Sequence, residues 1–345
     1  MMGTEDLRSI AQSLVAANKG ILAADESFPT IEKRFKSIDL DNSEENRRAY
    51  RDMLLTTPGL EEYISGVILF DETIHQSASD GTSFSKLLAG RGIVPGIKVD
   101  KGAKDLAGFP GEKVTEGLDG LRERLSEYYG LGARFTKWRA VITIGSNGGN
   151  AIPSDYCIHA NAHALARFAA LSQEAGLVPI VEPEILMDGD HSIERCYDAT
   201  ARTLNALFEE LRAARVELEG TLLKTNMILS GKDAADQAGI DEVARETVRV
   251  LKETVPAEIP GVVFLSGGQS DELSTARLNA MNKLGGAPWE LSFSYGRALQ
   301  APSLNAWKGD EANIEAGQKA LYHRAKLNGA ARTGSYSESM ENEAA

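Results

Sequence analysis

Residues 20–27 read GILAADES: five small or aliphatic residues, then Asp25, Glu26 and Ser27. A first strand that opens a doubly wound sheet usually runs into a glycine-rich turn that cradles phosphate at a helix N-terminus; this one runs into carboxylates. Seven further apolar runs follow: GVILF (66–70), IVPGIKV (93–99), ARFTKWRAVITI (133–144), LVPIVEP (177–183), TLLKTNMIL (221–229), GVVFLSG (261–267) and WELSFSYG (289–296). Helix-like stretches separate them. Asn42-Ser43-Glu44-Glu45 resembles a capping box that opens a helix to Leu55. Leu118, Leu121, Leu125 and Tyr128 recur at helical spacing, as do Ala199, Leu204, Leu207 and Leu211. Pro153-Ser154-Asp155 starts a helix that Gly176 ends. Eight strands alternating with helices predict the α/β class and a parallel sheet closed into a (β/α)8 TIM barrel, with an open doubly wound sheet as the alternative.

The chain of 345 residues has apolar content of 42%, enough for one large core. We expect a single barrel over 1–329 and a mobile polar tail over 330–345, where small and polar residues dominate. The net charge is −13 and the isoelectric point about 5.0, which argues against a nucleic-acid surface. An acidic protein that handles anions has to concentrate a few cations locally. Cys157 and Cys196 form no C-x-x-C pair, so neither a disulfide framework nor a thiolate zinc site is expected, and both read as buried thiols. The first twenty residues lack the apolar stretch of a signal peptide, and no run approaches a membrane span. A soluble cytoplasmic protein is the expectation.

In parallel barrels, catalytic groups collect at the C-terminal ends of the strands. Here nearly every run ends in polar chemistry: Asp25 after the first, Asp71 and Glu72 after the second, Lys98 on the third, Lys137 and Arg139 within the fourth. Glu182 and Glu184 end the fifth, Lys224 lies inside the sixth, Ser266-Gly267-Gly268 follow the seventh, and Ser294-Tyr295-Gly296-Arg297 close the eighth. Strand side chains alternate faces, so Lys137 shares a face with Arg139 and Glu182 with Glu184. Pro183 has no N–H for a ladder, so strand pairing is expected to stop there.

The words ILAADES, GIKVDKG, KWR, VPIVEPEIL, GTLLK-x-N, FLSGGQS and FSYGRALQ, in this order from about Ala11 to about Ala325, resemble the motifs of class I fructose-bisphosphate aldolases. The resemblance implies reversible cleavage of fructose 1,6-bisphosphate into dihydroxyacetone phosphate and glyceraldehyde 3-phosphate. It also implies no cofactor, no metal and a homotetramer.

By that resemblance Lys224 is the Schiff-base lysine. Leu222 and Leu223 give it an apolar setting, and burial together with a neighbouring cation such as Lys137 disfavours the ammonium form. A plainer reading is a snorkelling lysine at a strand end. Glu182 matches the main acid/base and Glu184 its support, two carboxylates whose proton affinities can be driven apart. The plainer alternative for Glu184 is a helix cap or a pair with Lys137. Asp25 matches the base that takes the C4 hydroxyl proton, against the commoner task of a helix cap. Lys137 matches the lysine that tunes these carboxylates. Ser266, Gly267, Gly268, Ser294, Gly296 and Arg297 match one phosphate anchor. Lys98, Arg139 and Ser27 match the other, with a Lys98–Asp100 pair as the plainer alternative.

Two features depart from the family's pattern. Phe28-Pro29-Thr30 follow ADES where small or polar residues are common, and the chain ends in Ala345 rather than in a tyrosine. His159 and His163 stand four apart but lack the H-E-x-x-H glutamate, so helix packing or exposure is expected of them. Competing functions are another Schiff-base barrel of the transaldolase type, and an inactive barrel kept as a scaffold. The second has no need of Lys224, Glu182 and Asp25 together.

Overall fold

The structure, a computed structural model, describes residues 4–342. The eight apolar runs form eight strands: β1 (Gly20–Ala24), β2 (Ile64–Leu69), β3 (Val94–Lys98), β4 (Phe135–Ile142), β5 (Val178–Ile185), β6 (Leu222–Thr225), β7 (Gly261–Phe264) and β8 (Glu290–Tyr295). All neighbours pair in parallel, and β1 pairs with both β2 and β8, so the sheet is a closed barrel with no edges. Two short antiparallel ribbons, Ala103–Asp105 with Lys113–Thr115 and Gly145–Asn147 with Asn150–Ile152, decorate the loops after β3 and β4.

Helix starts follow local chemistry. Ser43 accepts the Asn46 N–H and Ser154 the Cys157 N–H, both at 3.1 Å, so each satisfies one orphan donor of the helix it opens. The helix Asp155–Glu174 ends before Gly176, which takes the left-handed conformation (φ 76°).

Strand alternation divides the buried residues into two cores. One set, including Leu22, Trp138, Val181, Leu223 and Phe264, faces outward and packs under the helices. The other, including Ile21, Ala23, Phe135, Ile180, Leu222 and Val263, fills the interior, where Leu14 and Val15 of the N-terminal segment close the lower end. Space there is short. A Cβ on Gly66 would meet Leu14 Cδ2 at 2.5 Å, and one on Gly96 would collide with the Phe135 ring.

Pro183 does not end its strand. Pairing with β4 continues through Ala140↔Pro183 to Ile142↔Ile185. The reason is parity. Val178 N–H donates to Arg134 O and Leu186 N–H to Ile142 O, so even-numbered N–H groups of β5 point to β4. Odd-numbered ones point to β6, where the backbone register stops at Leu223↔Val181. The proline nitrogen therefore faces a side already unpaired.

The last helix runs Ile314–Arg332, so the segment from residue 330, expected to be a mobile tail, begins inside it. Tyr336 is buried, its N–H donating to Asn279 Oδ1 (3.0 Å) and its hydroxyl to Glu341 (2.8 Å). Glu341 also pairs with Arg324 at 2.5 Å. Residues 343–345 of that segment lie outside the described residues. No helix among the described residues is long and apolar enough to cross a membrane. Cys157 and Cys196 are free and buried; burial pushes their thiols up, to about 12 and about 11.

Candidate active site

The apolar interior becomes ionic at the upper ends of four strands, two residues at a time. Ile21 and Ala23 lead to Asp25, Phe135 to Lys137, Ile180 to Glu182, and Leu222 to Lys224, each step keeping the inward face. The four charged groups meet. Lys137 Nζ lies 2.6 Å from Asp25 Oδ2 and 3.2 Å from Glu182 Oε2, and Lys224 Nζ lies 3.0 Å from Glu182 Oε1. Lys224 is 4% exposed, Lys137 3% and Glu182 2%. Charges this deep persist only when each is compensated, and here two lysines face two carboxylates.

The electrostatics follow from that balance. Burial would raise the Asp25 carboxyl, but Lys137 and then Lys224 outweigh it and hold the group well below the usual carboxylate range. Glu182 is likewise held low: burial opposes its charge, while Lys137, Lys224 and Arg139 favour it. Burial works against the charge of Lys137, yet Asp25, Glu182 and Asp100 hold its ammonium above the ordinary lysine range. Asp25 is not a helix cap, because Ser27 takes the N-cap position of the helix Phe28–Lys36.

Further up the same faces, the Arg139 guanidinium grips Glu184. Glu184 thus pairs neither with Lys137 nor with a helix end. Lys98 Nζ sits 2.7 Å from Asp100 Oδ1, the plainer of its two expected partners. Ser27, Lys98 and Arg139 nonetheless line one cavity of about 750 Å³, together with Asp71 and Tyr128. Arg139 and Glu184 also border a second cavity, of about 340 Å³, with Gly267 and Gly268. The Ser266 residue is buried, and Ser294 Oγ is buried with no hydrogen-bond partner among the described residues.

Arg297 stands apart. It pairs with Asp271 at 3.0 Å, donates to Gln269 O, and lines a third cavity, of about 390 Å³, with Thr30, Lys33 and Arg34. Arg34 was not anticipated. Its Nη2 lies 3.5 Å from where a Gly296 Cβ would be, beside Ala23 O. Ser27, Thr30 and Arg34 follow an i, i+3, i+7 spacing, which puts all three on one helix face; that spacing was the available signal. Glu26 was also missed. It is buried between Arg34 and Arg51 (2.6 Å to the latter) and accepts from Gln300 Nε2 at 2.9 Å. Arg47 meets Glu72 at 2.6 Å and covers the Phe28 ring. His163 pairs with Glu210 on the helix layer (3.0 Å), and no group of three or more His, Cys, Asp or Glu among the described residues is arranged to hold a metal ion.

A buried lysine two residues above an apolar barrel layer, in contact with one carboxylate that a second lysine links to another, is a site for carbonyl chemistry. Residues 6–345 match the family model described as class I fructose-bisphosphate aldolase. The chain belongs to the class I fructose-bisphosphate aldolase family. It is 60% identical over 336 residues to a probable fructose-bisphosphate aldolase class 1 of Xanthomonas campestris pv. campestris, covering 97% of this chain and 99% of that protein. It is 53% identical over 334 residues to the cytosolic fructose-bisphosphate aldolase 4 of Arabidopsis thaliana, covering 96% and 84% of the two. A solved fructose-bisphosphate aldolase of Plasmodium falciparum, crystallised with TRAP and a small-molecule inhibitor, superposes with a TM-score of 0.94 at 50% identity, covering 96% of this chain and 95% of that one. The aldolase family and the barrel expected from GILAADES and its seven successors are thus the ones found.

Proposed function

We propose that the chain carries out its aldolase reaction, cleavage of fructose 1,6-bisphosphate to the two triose phosphates, through an imine on Lys224. The observation that carries this reading is the 3.0 Å contact between Lys224 Nζ and Glu182 inside a buried site that Asp25 shares through Lys137. Glu182 takes a proton from Lys224, and the free amine attacks the C2 ketone. Glu182 then returns a proton to the carbinolamine hydroxyl, which leaves as water. Asp25 accepts the C4 hydroxyl proton as the C3–C4 bond breaks. The bonding electrons flow into the iminium and give an enamine, while C4 departs as the aldehyde of glyceraldehyde 3-phosphate. Protonation of C3 and hydrolysis release dihydroxyacetone phosphate and the free lysine.

Lys137 keeps both carboxylates ionised between proton transfers, and Glu184 holds Arg139. The C1 phosphate takes Ser266, Gly267, Gly268, Ser294, Gly296, Arg297 and, added here, Arg34. The C6 phosphate takes Ser27, Lys98 and Arg139. Each rim cation already holds a carboxylate: Arg297 with Asp271, Lys98 with Asp100, Arg139 with Glu184. Substrate phosphate therefore exchanges one anion for another rather than meeting bare cations. The assignment extends to a cytoplasmic homotetramer, for which sedimentation gives the direct test.

Borohydride reduction in the presence of dihydroxyacetone phosphate should fix a covalent adduct to the peptide that contains Lys224. An adduct on Lys137 or elsewhere moves the nucleophile and rejects the scheme.

A further inference from the structure

β5 and β6 carry Glu182 and Lys224, yet their backbones stop pairing below both groups. The register ends at Leu223↔Val181, and Pro183, whose nitrogen faces β6, has no N–H to extend it. The upper end of β5 is nevertheless tied to β6. Asn226, two residues beyond Lys224, accepts the Ile185 N–H on its Oδ1 at 3.0 Å. Its Nδ2 donates to Met227 O at 3.1 Å and to Thr200 Oγ1 at 3.4 Å. Thr225 Oγ1 adds a 3.4 Å contact to the same Oδ1. The residue is 4% exposed. Its amide is therefore held from the helix Ile193–Ala213 behind it, as well as from its own strand end, and it reaches across where a peptide rung is missing.

We infer that Asn226 is a positioning residue for the proton transfers at Lys224. Its side chain supplies the rung that Pro183 interrupts and so fixes the height of Glu182 and Glu184 against the lysine. This rests on the proposed roles of Lys224 and Glu182. Oδ1 is the essential atom, because it is the part of the amide that accepts from the β5 backbone. An acceptor kept in place preserves the alignment. An apolar side chain of similar size leaves the Ile185 N–H unpaired and lets the end of β5 drift.

The test compares Asn226→Leu with Asn226→Asp in the full chain, with active sites counted by borohydride trapping of dihydroxyacetone phosphate. Asn226→Leu is expected to lower kcat per trapped site about tenfold or more, as misalignment of a proton donor does, with KM for fructose 1,6-bisphosphate within about twofold. Asn226→Asp, which keeps the acceptor, is expected within about threefold of the parent. A residue that only supports the fold would reduce the yield of trapped sites and the melting temperature, leaving turnover per site unchanged; that result overturns the inference. So does an Asp variant as impaired as the Leu variant. Should Asn226→Leu fail to fold, Asn226→Ala carries the same comparison with the same limits. Mapping the adduct separates the two readings: an adduct away from Lys224 rejects the catalytic scheme and this inference with it. An adduct on Lys224 with unchanged turnover rejects the Asn226 assignment alone.

Discussion

The two ends of the barrel interior are built by the same strands and obey opposite rules. At the lower end Ile21, Phe135, Ile180, Leu222 and Val263 meet Leu14 and Val15, with glycines at Gly66 and Gly96 where any side chain would collide. Further along the same faces, four residues past Ile21 and two past Phe135, Ile180 and Leu222, the inward positions are Asp25, Lys137, Glu182 and Lys224, joined by contacts of 2.6 to 3.2 Å. The lower end is held by packing, which tolerates no added volume. The upper end is held by charge balance, which tolerates the loss of a group only if its partner keeps a counter-ion. Mutations at the two ends should therefore separate stability from activity in opposite directions.

The largest separation is expected at Lys224. Lys224→Met should lower kcat on the order of 10⁴-fold or more, because no other group supplies the imine. The fold should lose little, since Glu182 retains Lys137 at 3.2 Å. Steady-state rates beside urea unfolding check both halves. A variant that keeps a tenth of the activity would break the contrast.

Lys137→Met should cost both properties. It strips Asp25 of its 2.6 Å partner and leaves Lys224 as the one cation within the four-group cluster; breaking a buried pair costs about 3–5 kcal/mol. The dependence on pH also weakens. In the parent, the Asp25 carboxyl is depressed, so its contribution is present above the unfolded value and is lost as pH falls through the folded one. Without Lys137, burial is opposed by Lys224 and Lys98 alone, and that carboxyl moves upward. The gap between folded and unfolded values then narrows, and less stability is lost on acidification. Unfolding at about pH 3 and about pH 6 should show a smaller difference for the variant than for the parent, and the acid limb of its activity should move upward.

At the lower end, Gly96→Ala drives a methyl into the Phe135 ring and should destabilise the chain by about 1–3 kcal/mol. Turnover per trapped site should stay within about twofold, since the strained layer lies two residues below the lysines. Gly66→Ala should cost less, because its methyl overlaps the tip of the Leu14 side chain and approaches the Phe135 ring only to 3.1 Å. Equal losses for the two would mean that the interior relaxes by moving strands rather than side chains.

What the sequence disclosed divides along the same line. Each apolar run became a strand, because a parallel strand buried on both faces reads as continuous hydrophobicity whatever its neighbours are. Alternation then placed Lys137 with Arg139 and Glu182 with Glu184 on shared faces. The partners across strands were not legible. That Glu184 meets Arg139 rather than Lys137 depends on the register Arg139↔Glu182. That Glu26 meets Gln300 depends on closure between residues 274 positions apart. Pro183 misled because its missing N–H matters on one side of the strand only, and a sequence does not say which side. Tyr336 was lost among serines and glutamates, although its buried ring and its bonds to Asn279 and Glu341 dock that segment.

The smallest expected effect lies at the rim and concerns the anions already in place. Asp271 holds Arg297 at 3.0 Å, and Arg297 is 44% exposed there, so the pair is worth about 0.2–1 kcal/mol after screening by solvent. A phosphate that displaces the carboxylate has to overcome that much and no more. Asp271→Asn should therefore lower KM for fructose 1,6-bisphosphate by up to about fivefold, with kcat unchanged. The effect should fade as added salt screens the pair in the parent as well. Arg297→Ala should instead weaken substrate binding by about 1.5–3 kcal/mol, the cost of charged hydrogen bonds lost to phosphate. In the Arg297→Ala background, Asp271→Asn should then have no effect on KM. If it still lowers KM there, Asp271 acts on substrate through the general negative field of the rim, and the guanidinium is not where the two anions compete.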